Sequence, residues 1–143
     1  MGEECCATGS GQNGVTMILS CSGGSNVGQL ANQAAVELTQ EGYGRMFCLA
    51  GIGGHLSGFV QSAKDVHRLV VLDGCEIGCS KAILDHLEIP MTTYLVLTEE
   101  LGIEKNKDFN LKREEIEKVK EIAKKAGKMT RTESGATGSV CCA

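Results

Sequence analysis

Asp73-Gly74-Cys75, with Cys79 four residues on, follows directly on the apolar run Leu69-Val70-Val71-Leu72, and two earlier apolar runs carry one cysteine each, Cys21 and Cys48. Thiolates bind soft metals and act as nucleophiles. Together Cys21, Cys48, Cys75 and Cys79 offer the four sulfur donors that tetrahedral zinc takes at about 2.3 Å. They meet only if the segments before them are parallel strands, because the carboxyl ends of such strands share one edge of the sheet. The competing reading makes each cysteine a small apolar filler. Filler, however, gives no reason for cysteines to gather at strand ends.

Other residues near these ends have two readings each. Asp73 either accepts a hydrogen bond that orients the Cys75 loop or caps the next helix. His55 opens a helix on the same edge as Cys48, as a replacement ligand, a base or simply an exposed residue. His67 and His86 fall away from that edge. The run Cys21-Ser22-Gly23-Gly24-Ser25-Asn26-Val27-Gly28 has the form of an anion cradle around Gly23, Gly24 and Ser25, or of close strand–helix packing. Low-molecular-weight tyrosine phosphatases and some phosphotransferase carriers place a nucleophilic cysteine in such a turn. The phosphatase pattern needs an arginine where this chain has Val27, which speaks against phosphate-ester hydrolysis and leaves thiol redox chemistry, sulfur transfer or a phosphoryl carrier centred on Cys21 as the enzymatic alternative. Two further pairs, Cys5-Cys6 and Cys141-Cys142, are accessory thiols. They resemble the C-terminal pair with which mercuric reductases pass a soft ion inward, or they are incidental.

The elements that must position these groups are read from periodicity. Residues 15–20 form a short apolar run suited to a doubly buried strand. Residues 25–41 carry Val27, Leu30, Ala31, Ala34 and Leu38 at helical spacing. The cycle repeats with a strand over 45–50, a turn at Gly51-Ile52-Gly53-Gly54, and a helix over 55–65 that turns Leu56, Phe59, Val60 and Ala63 inward. A third strand spans 69–73, and a helix over 76–88 buries Ile77, Ile83, Leu84 and Leu87 before Pro90. The fourth strand is 93–98. A last helix, 111–125, buries Ile116, Val119 and Ala123, shows Glu114/Lys118 and Glu121/Lys125 pairs on its wet side, and stops at Gly127. Strands alternating with helices predict a three-layer, doubly wound α/β fold of the Rossmann or flavodoxin-like kind, with four parallel strands ordered 2-1-3-4, or 3-2-1-4 as the alternative. The domain spans 15–127, between an N-terminal segment 1–14 and a C-terminal tail 128–143 that are both expected to be flexible and each hold a cysteine pair.

At 143 residues the chain buries roughly two thirds of its unfolded surface and needs no metal merely to fold. Its formal charge of -4, the lack of Trp and only five Phe or Tyr residues argue against a nucleic-acid partner. No apolar run reaches the roughly 18 residues of a membrane span, and the polar, acidic start does not read as a secretory leader. The expected location is the cytoplasm, where thiols stay reduced and clustered cysteines mean metal or redox chemistry. A protein partner is not indicated.

The runs Cys21-Ser-Gly-Gly-Ser, Gly28-Gln-Leu-Ala-Asn32, Leu49-Ala-Gly-Ile-Gly-Gly-His55, Asp73-Gly-Cys75 with Cys79, and Leu97-Thr-Glu-Glu-Leu-Gly-Ile-Glu-Lys105 resemble the DGC-domain family, small bacterial and archaeal proteins named after that tripeptide. The resemblance covers about residues 15–126. It implies zinc held by four cysteines, here Cys21, Cys48, Cys75 and Cys79, and brings no enzymatic activity with it. The expected function is a metal-binding module for storage, delivery or sensing, with zinc as the ligand.

Overall fold

The computed structural model describes residues 14–133. Four parallel strands form one sheet: β1 (Thr16–Ser20), β2 (Arg45–Met46), β3 (Arg68–Asp73) and β4 (Thr93–Val96), in the order β2-β1-β3-β4. The favoured strand order and the three-layer α/β class are therefore those observed. The centre of the sheet is the β1/β3 pair, in register from Thr16 opposite Arg68 to Ser20 opposite Leu72. Alternation along these two strands splits the core. Ile18, Val70 and Leu72 face α1 (Asn26–Gln40), α5 (Leu97–Leu101) and α6 (Arg113–Glu133). Met17, Leu19, Leu69 and Val71 face α2 (Leu49–Gly53), α3 (Ser57–Asp65) and α4 (Cys79–His86). Both faces of the strands are dry, as parallel sheets require. Among the described residues no helix is long and apolar enough to cross a membrane.

The first helix agrees with its periodicity. Ser25 caps it by accepting a hydrogen bond from the Gly28 N–H, and Val27, Leu30, Ala31, Ala34 and Leu38 are all buried. Elsewhere tertiary contacts moved the boundaries. The second strand is only Arg45–Met46; at Cys48 the chain turns into α2, because Ile52 leaves the expected glycine turn to bury itself completely beside Met17 and Leu19. Leu56 precedes α3 instead of lying inward on it and is 54% exposed.

The helix expected from residue 76 starts at Cys79, after a turn closed by the Gly78 N–H on the Cys75 carbonyl, with Gly78 at φ 67°. Ile77 rides on that turn, 66% exposed rather than buried. Strand β4 gives way after Val96 to α5, whose Leu97 is fully buried. Gly127 does not end the last helix, which runs on to Glu133. A Cβ there would lie 2.1 Å from the Tyr43 hydroxyl, so this glycine makes room for a tyrosine that also donates to the Ala123 carbonyl at 3.1 Å. Cys5, Cys6, Cys141 and Cys142 lie outside the described residues, as do most of the two expected flexible ends.

Candidate functional site

Cys21 continues β1 by one residue, its N–H bonding the Leu72 carbonyl at 3.0 Å, so its side chain stands at the carboxyl edge beside the end of β3. The Gly74 N–H donates to the Cys21 sulfur at 3.1 Å, and the Gly23 N–H donates to it as well. Burial nevertheless pushes the Cys21 thiol above its ordinary range, and the Asp73 charge adds to that, while the two backbone donors oppose it. The central glycine of Asp73-Gly74-Cys75 has a steric reason. A Cβ on Gly74 would come within 2.6 Å of Val27 backbone at the start of α1, so only glycine lets this turn sit close enough for its N–H to reach Cys21.

Asp73 resolves toward the helix cap. Its carboxylate is 1% exposed and accepts from the N–H groups of Ser80 and Lys81, at 2.9 and 3.1 Å, in the first turn of α4. The Tyr94 hydroxyl donates to the same carboxylate at 2.8 Å, and burial together with that carboxylate holds the phenol well above its usual range. This capping fixes where α4 starts, and so where Cys79 stands.

Cys21, Cys75 and Cys79 line one cleft of about 310 Å³ with the glycine turn 22–25, Gly28, Leu49, Gly74, Ile77, Lys105 and Lys107. Two strand-to-helix connections, β1–α1 and β3–α4, thus bring three thiols to one opening. Cys48 is exposed just before α2; its neighbour Leu49 lines the cleft, and Cys48 itself does not. His55, in the left-handed region at φ 58°, lies exposed against His86 with ring centroids 5.5 Å apart, away from the lining. Among the described residues no three His, Cys, Asp or Glu side chains stand close enough together to hold one metal ion as arranged.

The glycine turn spends much of its backbone on itself. Ser25 N–H bonds the Gly23 carbonyl, Gly28 N–H the Ser25 hydroxyl, and Gly23 N–H the Cys21 sulfur, while Gln29 holds the turn by donating to the Gly23 carbonyl at 3.1 Å. Few donors are left for an anion there.

Positive charge comes instead from a segment to which periodicity assigned no role, the loop 102–112 between α5 and α6. Lys105 donates to the Cys75 sulfur at 3.3 Å, and Lys107 to the Gly24 carbonyl. Asn26, the first residue of α1, clamps this strap: its side-chain amide donates to the Glu104 carbonyl at 2.9 Å and accepts from Asn106 N–H at 2.7 Å, and its N–H bonds the Asn106 carbonyl. The available signal was the length of an aperiodic loop, since long loops inside compact domains carry function.

No solved structure matches the chain. A curated relative, the "Anaerobic and virulence modulator AnvM" of Pseudomonas aeruginosa, is 34% identical over 103 residues, covering 72% of this chain and 78% of the relative. The family model described as the DGC domain matches residues 17–123, from within β1 to within α6, and includes the cleft with its strap. The chain belongs to the DGC-domain family.

Proposed function

We propose that the cleft is a binding site for one soft metal ion, zinc in the first place, with Cys21, Cys75 and Cys79 as ligands and Cys48 as the fourth. The observation that carries this reading is the convergence of three thiols from two strand-to-helix connections on one opening whose lining, among the described residues, holds no carboxylate. Such a donor set favours a thiophilic ion over calcium or magnesium. Closing it round an ion requires the turns bearing Cys48 and Cys75 to shift inward; both residues lie in irregular backbone, Cys75 directly after Gly74. Lys105 and Lys107 offset the excess negative charge of a thiolate-rich centre.

A site that assembles by moving loops suits sensing or delivery better than a permanent staple, and the relative named as a modulator supports a regulatory use. The reducing cytoplasm is the compartment in which these cysteines stay available as thiols.

Elemental analysis of the full chain purified without added metal, repeated for Cys21→Ser, Cys48→Ser, Cys75→Ser and Cys79→Ser, tests the reading. About one zinc per chain is expected, falling most on changing Cys75 or Cys79. Stoichiometric metal that survives all four changes would sink it.

A further inference from the structure

The cleft holds a second chemistry in the pair Lys105–Cys75. Cys75 is half-buried at the opening, with the Lys105 ammonium 3.3 Å from its sulfur, and Lys107 adds another positive charge on the same wall. Among the described residues no carboxylate lines the cleft to cancel either charge. The clamp at Asn26 places both lysines from one tied loop, so their position is built in. A small anion entering about 310 Å³ of space therefore meets two cations and a sulfur together.

What that anion is follows from the donors that are absent. Phosphoryl or acyl transfer needs several N–H groups or an arginine aimed at developing oxyanions. Here the N–H groups of Gly23 and Gly74 are directed at Cys21, and those of Ser25, Asn26 and Gly28 are bonded within the protein. Beside the few backbone donors that remain stand a sulfur nucleophile and two ammonium counter-charges. That suits attack on a sulfur atom, where the leaving group is itself an anion and no tetrahedral oxyanion forms.

We infer that Cys75 accepts sulfane sulfur from a small anionic donor of the thiosulfate class, with Lys105 and Lys107 holding the donor's oxyanion end. The Cys75 thiolate attacks the outer sulfur of thiosulfate. A new S–S bond forms to Cys75, the S–S bond of the donor breaks, and sulfite leaves with the electron pair. The product is a Cys75 persulfide anion, and charge is conserved without any outside oxidant or reductant. A thiolate or cyanide acceptor then attacks the outer sulfur; its new bond to that sulfur forms as the S–S bond to Cys75 breaks, regenerating the Cys75 thiolate. This activity shares the cleft with the metal site without resting on it; metal and donor exclude one another because both require Cys75.

The test uses the reduced full chain, stripped of metal with a chelator and freed of small thiols, then incubated with thiosulfate. Peptide mapping by mass spectrometry is expected to find one added sulfur on Cys75, and cyanide to release it as thiocyanate. Cys75→Ser abolishes both signals. Lys105→Gln, with its fold checked by circular dichroism, slows loading by roughly tenfold or more, as expected for losing a charge-assisted contact, and Lys105→Arg restores part of the rate. Saturating zinc blocks loading if the metal reading also holds. Loading without zinc binding leaves this inference standing and removes the metal reading. No sulfur on Cys75, sulfur only on another cysteine, or an unchanged rate in Lys105→Gln overturns the inference.

Discussion

Two groups of lysines sit in different electrostatic company. On the seam between α1 and α6, Lys120 is 5% exposed and meets three carboxylates: Glu37 at 3.1 Å, Glu117 at 3.2 Å, and Glu41. Arg113 adds a bond to Glu37 at 2.7 Å, and Lys124 one to Glu41 at the same distance. At the carboxyl edge, Lys105 and Lys107 are exposed and touch a sulfur and a carbonyl in a cleft that no acid lines among the described residues. The seam's charges answer one another, so its business is holding two helices together. Among the described residues no carboxylate pairs with the strap's charges, which leaves them to act on something that enters.

The largest effect that would test this division is expected at Asp73, which belongs to the rim but does structural service. Asp73→Ala leaves two N–H groups of α4 and the Tyr94 hydroxyl without their buried acceptor. A loss of about 3 kcal/mol in urea unfolding is expected, with less for Asp73→Asn, which keeps an acceptor. If Asp73→Ala left stability intact while lowering metal or sulfur loading, Asp73 would move from cap to chemical participant.

Next comes the seam itself. Hydrogen bonds from Arg113, Gln33 and Lys120 outweigh partial burial and hold the Glu37 carboxyl down at about 2. Glu41 is also lowered, chiefly by Lys120 and Lys124. A depressed carboxyl stabilises the fold fully above its unfolded value of about 4.3, and that contribution disappears as pH falls toward the folded value. Melting temperature is therefore expected to drop between about pH 4.3 and 2, more gently in Glu37→Gln. Lys120→Met should lower the melting temperature by several degrees at neutral pH, since three carboxylates then face each other, while metal binding at the far edge stays unchanged. A matching loss of metal would mean that the two regions are coupled through α1.

How far the cysteine spacing foretold the site depends on which cysteine is considered. Cys21 and Cys75 end adjacent parallel strands, and apolar runs of that length reveal such strands because both faces are buried. For Cys48 the sequence points to a strand, because Phe47-Cys48-Leu49-Ala50 is apolar enough to extend one. Burial of Ile52 in the opposite layer curls it into α2 instead. Cys79 came out at the start of its helix, and Cys75 before it, because Gly78 takes a left-handed conformation that periodicity does not register. The strap's first residues belong to a run that resembles the family, but its place over the cleft is hidden for a deeper reason. Its place over the cleft depends on hydrogen bonds between Asn26 and residues 78 and 80 positions away, and no local pattern encodes a partner that distant.

That clamp offers the finest separation of the two regions. Asn26→Ala removes the bonds to Glu104 and Asn106 but leaves Ser25 as the helix cap, so a cost of only about 1 kcal/mol is expected. The loop 102–112 then loses its tether, and Lys105 its fixed approach to Cys75. Faster amide exchange confined to this loop, seen by hydrogen–deuterium mass spectrometry, should accompany slower sulfur loading, with the seam unaffected. Lys105→Gln is the partner experiment. It keeps the clamp and removes the charge, so the loop's exchange should stay as it is and stability should move by less than about 0.5 kcal/mol, yet loading should fall further than in Asn26→Ala. If instead the two variants slowed loading equally, the Lys105 charge would act only from its tethered position, and the clamp would matter to loading as much as the cation. A larger loss in Lys105→Gln would show that the loop exists to present an uncompensated cation to the thiols, which is the property the α1–α6 seam has spent three carboxylates to suppress.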